Sequence, residues 1–291
     1  MSERHGVTNR PTRPAPDPMR GLVGGLMRAR WALRSARSWL RVRYVWLKPR
    51  PGDIYIATAA KAGTTWMQQI VFQLIHEGRG EFEHILQVSP FLEQLGTKPR
   101  AEQELDGLPS PRIFKTHLSR GLLRPPANSR VIYVTRAAND TLVSYYHHVC
   151  RAHGAHLDFD QFFQREMKNR GWSSHLRSWW PNRRAPNVLH VRYEDLVTDR
   201  ERELRRVATF LALPLPPERL PDILEKTSFE YMKRHNARFA PPMPGGLSAE
   251  GFIREGKVGS GRDALDAGQQ ALLEKTLAPL FRELGITGNE V

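Results

Sequence analysis

The chain has 291 residues, 40% of them hydrophobic, and a single cysteine, Cys150. That is ample material for a large core in one or two domains, and it excludes an intramolecular disulfide, so nothing points to an oxidising compartment. The net charge of +14 is concentrated at one end: residues 1–51 carry 12 Lys and Arg against 2 Asp and Glu, a net of +10, which leaves +4 for the rest. The mild excess beyond residue 51 argues against a nucleic-acid-binding main domain and suits a site for one multiply charged anion. No apolar run approaches the length of a membrane span and the N-terminus lacks an uninterrupted apolar signal region, so a cytoplasmic protein is expected.

In chain order, residues 1–19 place Pro11, Pro14, Pro16 and Pro18 among polar neighbours and are predicted to be disordered. From Gly21 the apolar residues Leu22, Leu26, Ala29, Leu33, Ala36, Leu40, Tyr44 and Leu47 recur at helical steps, with Arg34, Arg37 and Arg41 on a flank. This predicts a basic amphipathic helix over 21–48, suited to an anionic membrane surface, to a protein partner, or equally to packing on its own domain.

A short apolar run, Ile54-Tyr55-Ile56-Ala57, then leads into Lys61-Ala62-Gly63-Thr64-Thr65-Trp66 and a helical stretch. A strand, a tight glycine turn carrying one lysine, and a helix opening on hydroxyl residues form an anion cradle, because turn and helix-start N–H groups converge beside the lysine. The ATP-binding form of such a loop has its lysine after the last glycine; here Lys61 precedes Gly63, so a Walker motif is absent.

Beyond it, strand and helix patterns alternate. Residues 112–115, 130–135 and 188–193 read as strands, and 64–78, 139–152, 158–169, 173–180 and 200–212 as helices, with Asn139 and Asp140 as N-cap candidates. The Gly- and Pro-rich stretch 235–263 reads as one long loop, of a kind that often closes over ligands, and a last helix over 267–284 ends at Gly285. The pattern predicts a single α/β domain over 52–291, a P-loop-like parallel sheet with helices on both faces and its ligands at the carboxyl ends of the strands. Lys115 and His117 share a face at one such strand end, and Arg136 follows another, ahead of Ser144. A guanidinium with a hydroxyl suits a second anion. A lone histidine is ordinarily structural, so His117 gains meaning only from this company. His147, His148, His153 and His156 do not make a convincing metal site, since neighbours on a helix diverge.

Taken together these pieces resemble the sulfotransferases that use 3′-phosphoadenosine 5′-phosphosulfate (PAPS), particularly the cytosolic type. The family's 5′-phosphosulfate loop is matched by residues 61–66 with Ala62 in place of serine, its lysine-threonine-histidine strand end by Lys115-Thr116-His117, and its 3′-phosphate segment by Arg136 and the run Ser144-Tyr145-Tyr146-His147. Tyr193-Glu194-Asp195, Glu225-Lys226-Thr227-Ser228-Phe229 with Met232, and Arg254, Gly256 and Gly259 follow in the family's order, so the resemblance spans residues 52 to about 285.

The resemblance implies a PAPS-dependent sulfotransferase that needs no metal. Lys61, Ala62, Gly63, Thr64 and Thr65 would hold the 5′-phosphosulfate, Arg136 and Ser144 the 3′-phosphate, and Trp66 and Phe229 would sandwich adenine. Tyr193 and Thr227 would meet the base edge beside Ser228, and the loop from Phe252 through Arg254, Glu255 and Gly256 would close over the 3′-phosphate. His117 would be the general base, with Lys61 and Lys115 stabilising charge. The acceptor, a small apolar or aromatic molecule with one hydroxyl, would meet Phe91, Tyr146 and His147, with Phe159 and the loop around Met243 nearby.

Departures are Glu255, a negative charge where the family usually has lysine, and Ser260-Gly261-Arg262 in place of an aspartate-tryptophan-lysine run. The family's dimer element is not recognisable, which leaves the oligomeric state open. Two other readings differ in what they predict: a small-molecule kinase of the P-loop type would show Mg²⁺-dependent ATPase activity, and a non-catalytic adenine-nucleotide-binding module would bind without turnover.

Overall fold

The computed structural model describes residues 47–241 and 251–291, apart from Thr97, Pro99, Ala155 and Asn289. The predicted disordered segment 1–19, nearly all of the amphipathic stretch 21–48, and residues 242–250 with Met243 lie outside the described residues.

Four strands, β1 (Ile54–Thr58), β2 (Ile113–Thr116), β3 (Arg130–Thr135) and β4 (Val188–Arg192), form one parallel sheet in the order β2-β1-β3-β4. They are nearly continuous apolar runs because helices cover both faces; all five residues of β1 are buried. The strand period of two divides them between two cores. Tyr55, Ala57, Phe114, Val131 and Tyr133 pack into one, while Ile54, Ile56, Ile113, Ile132 and Val134 pack into the other. Each such side chain contributes about 1.5–3 kcal/mol of burial.

Helices α1 (Thr64–Ile75), α2 (Ala138–His153), α3 (Phe159–Asn169), α4 (Gly171–Trp179), α5 (Arg200–Leu211), α6 (Phe229–Arg234), α7 (Ser260–Ala264) and α8 (Ala267–Leu284) join shorter turns around the sheet. The last has the expected bounds, held by a capping box between Asp266 and Gln269 and by Gly285 in the left-handed region, φ 61°. α1 stops short of its expected end at residue 78, the chain passing through Gly78 at φ 75°.

Two expectations are corrected. Asn139 and Asp140 do not cap α2, which starts at Ala138 after an Ala137 cap with no side-chain bond. The Asp140 carboxylate instead accepts from the backbone N–H groups of Gly259 (2.9 Å) and Gly261 (2.6 Å). Nor is 235–263 one loop: its described part includes a 3₁₀ turn, Asn236–Arg238, and helix α7. Gly261 is required there, since a Cβ would lie 2.4 Å from the Asn139 and Asp140 backbone.

Parallel register brings Thr58, Thr116 and Thr135 to one edge of the sheet. The chain leaves β1 for β2 on one side and returns past it to β3 on the other, so the loop after β1 opens at the topological switch point where ligands bind.

Candidate functional site

The loop after β1 turns through two left-handed residues, Lys61 at φ 67° and Gly63 at φ 98°. For Lys61 this conformation costs about 1–2 kcal/mol. At Gly63 a side chain is excluded as well, because a Cβ would stand 2.7 Å from the Tyr193 ring. Ala62 is buried and its N–H donates to the Ala59 carbonyl, so it shapes the turn and leaves anion contact to its neighbours. Gly63 caps α1 without a side chain, and the N–H groups of Thr64, Thr65 and Trp66 precede the first intrahelical bond, Met67 N–H to the Gly63 carbonyl at 3.1 Å. The Thr64 hydroxyl is tied to that of Thr58.

Cations crowd this cradle. The Lys61 ammonium lies 4.2 Å above the Phe252 ring, whose surface is also approached by the Arg151 guanidinium at 5.0 Å. Burial, then Arg151, Lys115, Arg136 and Arg254, pull the Lys61 pKa down to about 7. Lys115 is lowered to about 8 by burial, with Glu93 opposing. A buried lysine whose pKa is lowered by four neighbouring cations marks a site shaped for a multiply charged anion.

Arg136 belongs to the same cluster. Its guanidinium lies over the Tyr193 ring at 4.2 Å and donates to the carbonyls of Lys257 (3.1 Å) and Lys61 (3.4 Å), while its Nε is buried without a partner. The two expected anion sites therefore occupy one edge of the sheet, with Ser144 half-buried on α2. Trp66 meets Tyr193 edge-on, ring centroids 5.3 Å apart, and its indole N–H donates to the Thr227 carbonyl at 2.8 Å. Thr227 is fully buried and gives its own hydroxyl to Ile223, and the Ser228 hydroxyl caps α6, so both serve as scaffold for the aromatics. Phe229 packs on Gly256, where a Cβ would lie 2.6 Å from its ring. Glu255, the like charge expected near an anion, is paired with Arg254 at 2.7 Å.

At the end of β2, His117 approaches the Thr58 carbonyl with Nδ1, 2.9 Å away. A carbonyl only accepts, so neutral His117 carries its proton on Nδ1 and keeps the Nε2 lone pair. Burial, then Lys115, hold its pKa near 3, and it is neutral. Its backbone N–H donates to Glu93 at 2.6 Å, and the Phe91 ring stands edge-on at 5.1 Å. Glu93 itself is raised to about 7 by burial, against the hydrogen bond from His117.

Glu93, Arg151 and the placing of Phe252 over Lys61 were not singled out from sequence. Phe91 and Glu93 arrive through a backbone bridge between Phe91 and Lys115, which no local pattern announces.

Next to His117 lies a cavity of about 370 Å³ walled by Ala59, Ala138, Leu142, Tyr145, Met167 and Trp172, among others. Tyr145, and not Tyr146 or His147, faces it. The Tyr146 hydroxyl is committed to the Leu157 carbonyl at 2.6 Å and its ring packs on Phe159 and Phe162, while His147 is exposed. Adjacent helical residues point about 100° apart, so one step along α2 moves the contact from cavity to core.

Among the described residues no three His, Cys, Asp or Glu side chains converge as a metal site, and no helix is long and apolar enough to cross a membrane.

The family model described as a sulfotransferase domain matches residues 51–285. Sulfotransferase 1A1 of Bos taurus is 30% identical over 240 residues, covering 77% of this chain and 81% of that protein. Sulfotransferase 1C2 of Homo sapiens is 32% identical over 238 residues, 76% and 80% of the two chains. Among solved structures, retinol dehydratase in complex with androsterone and the inactive cofactor PAP has the same fold, with a TM-score of 0.71, 23% identity and 88% of each chain covered. Mouse sulfotransferase SULT7A1 complexed with PAP follows at a TM-score of 0.67 and 21% identity, covering 86% and 90%.

Proposed function

Because the chain belongs to the sulfotransferase family, we propose that it moves the sulfuryl group of PAPS to a hydroxyl of a small, mainly apolar acceptor, with His117 as general base. The residues present suit that co-substrate. Mutually repelling cations and the unpartnered Nε of Arg136 call for a ligand with more than one anionic group, and aromatic rings stand beside them. PAP is bound by the retinol dehydratase and SULT7A1 structures, and androsterone, an apolar alcohol, by the former.

Lys61 and the N–H groups from Gly63 to Thr65 would hold the 5′ end, Arg136 with Ser144 the 3′-phosphate, and Trp66 and Phe229 the adenine. When bound, PAPS supplies the sulfuryl group and leaves as adenosine 3′,5′-bisphosphate. Sulfuryl transfer, like phosphoryl transfer, relies on positioning and on charge stabilisation at peripheral and leaving oxygens, which Lys61 and Lys115 would provide. The acceptor hydroxyl would give its proton to His117 Nε2, whose basicity a bound polyanion raises by offsetting Lys115 and Lys61, and such a base contributes about 10²–10⁴-fold.

The observation that carries this reading is the Nδ1 contact of His117 with the Thr58 carbonyl, which leaves Nε2 as a base while Lys115 stands nearby. Titration with adenosine 3′,5′-bisphosphate and separately with ATP plus Mg²⁺, followed by a labelled-PAPS assay on phenols, steroids, lipids and sugars, tests it. Tight bisphosphate binding with sulfation of an apolar alcohol is expected. Preference for ATP would favour a kinase, bisphosphate binding without any turnover a non-catalytic module, and preference for sugars would overturn the acceptor class.

A further inference from the structure

A second group of cations lies beside β4, the outermost of the four strands on its side of the sheet. There a cavity of about 490 Å³ opens between elements. Arg183 and Arg184 reach it from the turn before β4, Arg192 from the end of that strand and Arg206 from α5, with His190 in its wall. Lys61, Lys115 and Arg136 line none of it, so it is separate from the cradle. Among the described residues that line it, Glu290 is the one acid.

The guanidiniums are close enough to act on one another. Burial and then Arg184 lower the pKa of Arg183. His190 is fixed by its neighbours: Nε2 hydrogen-bonds the Thr135 hydroxyl at 2.8 Å, and the ring lies 5.4 Å from Tyr133 and 5.3 Å from Trp180 between centroids. Its pKa is pulled to about 4 by burial and then by Arg183, Arg192 and Arg206, so three cations register at one ring. Their charge is only partly balanced. Arg192 meets Asp195 at 3.3 Å, and Arg206 shares the buried Glu203 carboxylate with Arg202. Glu290 is held by the backbone N–H of Thr287 at 2.7 Å and by its hydroxyl at 3.2 Å, and its pKa is lowered by those bonds, with Arg183 and Arg184 adding. The fold thus brings one carboxylate to a cavity lined by four guanidiniums.

The lining selects among anions. Trp180 is 1% exposed and the Arg183 guanidinium covers its ring at 4.0 Å, which leaves no aromatic face for a base to stack on. Arginine forks match the oxygens of a phosphate group, and forks arriving from separate elements suit several such groups on one molecule. The volume lies within the range of small-molecule sites.

We propose that this cavity is a second anion site, which takes a compact molecule bearing two or more phosphate groups, with Arg183, Arg184 and Arg206 as its contacts and Glu290 as an internal competitor. The proposal goes beyond the sulfotransferase reading and does not depend on it. A soluble polyphosphate and a phosphorylated lipid headgroup offer the same chemistry, and the test separates them.

Pyrophosphate is titrated by calorimetry into the full chain at about 0.15 M salt, with stoichiometric adenosine 3′,5′-bisphosphate filling the cradle. Saturable binding is expected. Arg184→Glu, at an exposed position, should weaken it about tenfold or more, because a charge-assisted contact becomes a repulsion. Glu290→Gln should tighten it about threefold by removing the competing carboxylate. Both variants should keep the bisphosphate affinity of the parent. Absence of pyrophosphate binding by the folded parent protein overturns the proposal, and so does binding that neither substitution changes. Sedimentation with phosphatidylcholine vesicles containing phosphatidylinositol bisphosphate is the lipid arm. Vesicle binding that Arg184→Glu weakens and pyrophosphate displaces assigns the site to a headgroup, whereas vesicle binding indifferent to Arg184→Glu, beside pyrophosphate binding that is sensitive to it, assigns the site to a soluble ligand. Protein that binds no bisphosphate overturns the sulfotransferase reading, while the Arg184 and Glu290 comparisons still decide this one.

Discussion

Glu93 accepts a hydrogen bond from the backbone N–H of His117 at 2.6 Å, and through that bond a carboxylate outside every recognised motif holds the end of β2 in place. The same carboxylate raises the pKa of Lys115, so one group both orients the base and keeps a neighbouring cation charged. Glu93→Gln preserves shape but removes that charge. It should lower kcat by about tenfold, since a modest displacement of a positioned base suffices for such a loss. It should also move the alkaline limb of the kcat/KM profile to lower pH as Lys115 loses its partner. A profile that keeps its shape while kcat falls would leave Glu93 with an orienting role alone.

His117→Ala should reduce turnover by about 10²–10⁴-fold, the usual contribution of a general base. Affinity for adenosine 3′,5′-bisphosphate, measured by calorimetry, should change little, because the His117 ring spends its Nδ1 on the Thr58 carbonyl of β1, while Arg136 is held by the Lys257 and Lys61 carbonyls. If affinity and turnover fall together, the ring is holding β1 and β2 and not moving a proton.

Much of this arrangement was legible in the sequence. β1 and β3 are covered on both faces, so Ile54–Ala57 and Val131–Val134 run without a charged side chain, and the cradle loop is written in consecutive residues whose chemistry is local. What stayed hidden was set by long-range packing. Asn139-Asp140 ahead of a helix is a proper cap signal, yet the Asp140 carboxylate finds stronger satisfaction in two amides at Gly259 and Gly261. Tyr145 and Tyr146 are chemically equivalent in a sequence, and only the rotation of α2 decides which one lines the cavity. Glu93 and Arg151 acquire their meaning from neighbours that the linear chain does not place beside them.

The Asp140 contact predicts a measurable coupling. Asp140→Asn replaces a carboxylate accepting two N–H groups by an amide that accepts less well, and it should destabilise the protein by about 1–3 kcal/mol, the usual effect of weakening buried charge-assisted hydrogen bonds. Hydrogen exchange should speed up most at residues 257–261, where the tether ends, and bisphosphate should restore part of the protection because Arg136 bridges to the Lys257 carbonyl. Uniform loss of protection over the whole chain would show that Asp140 acts on global stability without tethering this segment.

Lys61 gives the nucleotide affinity a defined dependence on pH. In the ligand-free protein its pKa is lowered to about 7, chiefly by burial and then by Arg151 and the other cations; a bound polyanion opposes both causes and raises it. Below about 7 the ammonium is charged with or without ligand, and affinity is at its ceiling. Above that value the free protein has lost the proton and binding must recover it, so affinity falls by up to about tenfold per pH unit, with Lys115 adding a second proton above about 8. The comparison belongs between pH 7.5 and 9, clear of the phosphate's own ionisation near about 6. Calorimetry in two buffers of different ionisation enthalpy should register proton uptake on binding bisphosphate, and Lys61→Met should bind more weakly at pH 7.5 with a flatter profile. Affinity that does not change from pH 7.5 to 9, with no proton exchanged, would mean that neither Lys61 nor Lys115 contacts the nucleotide's charge.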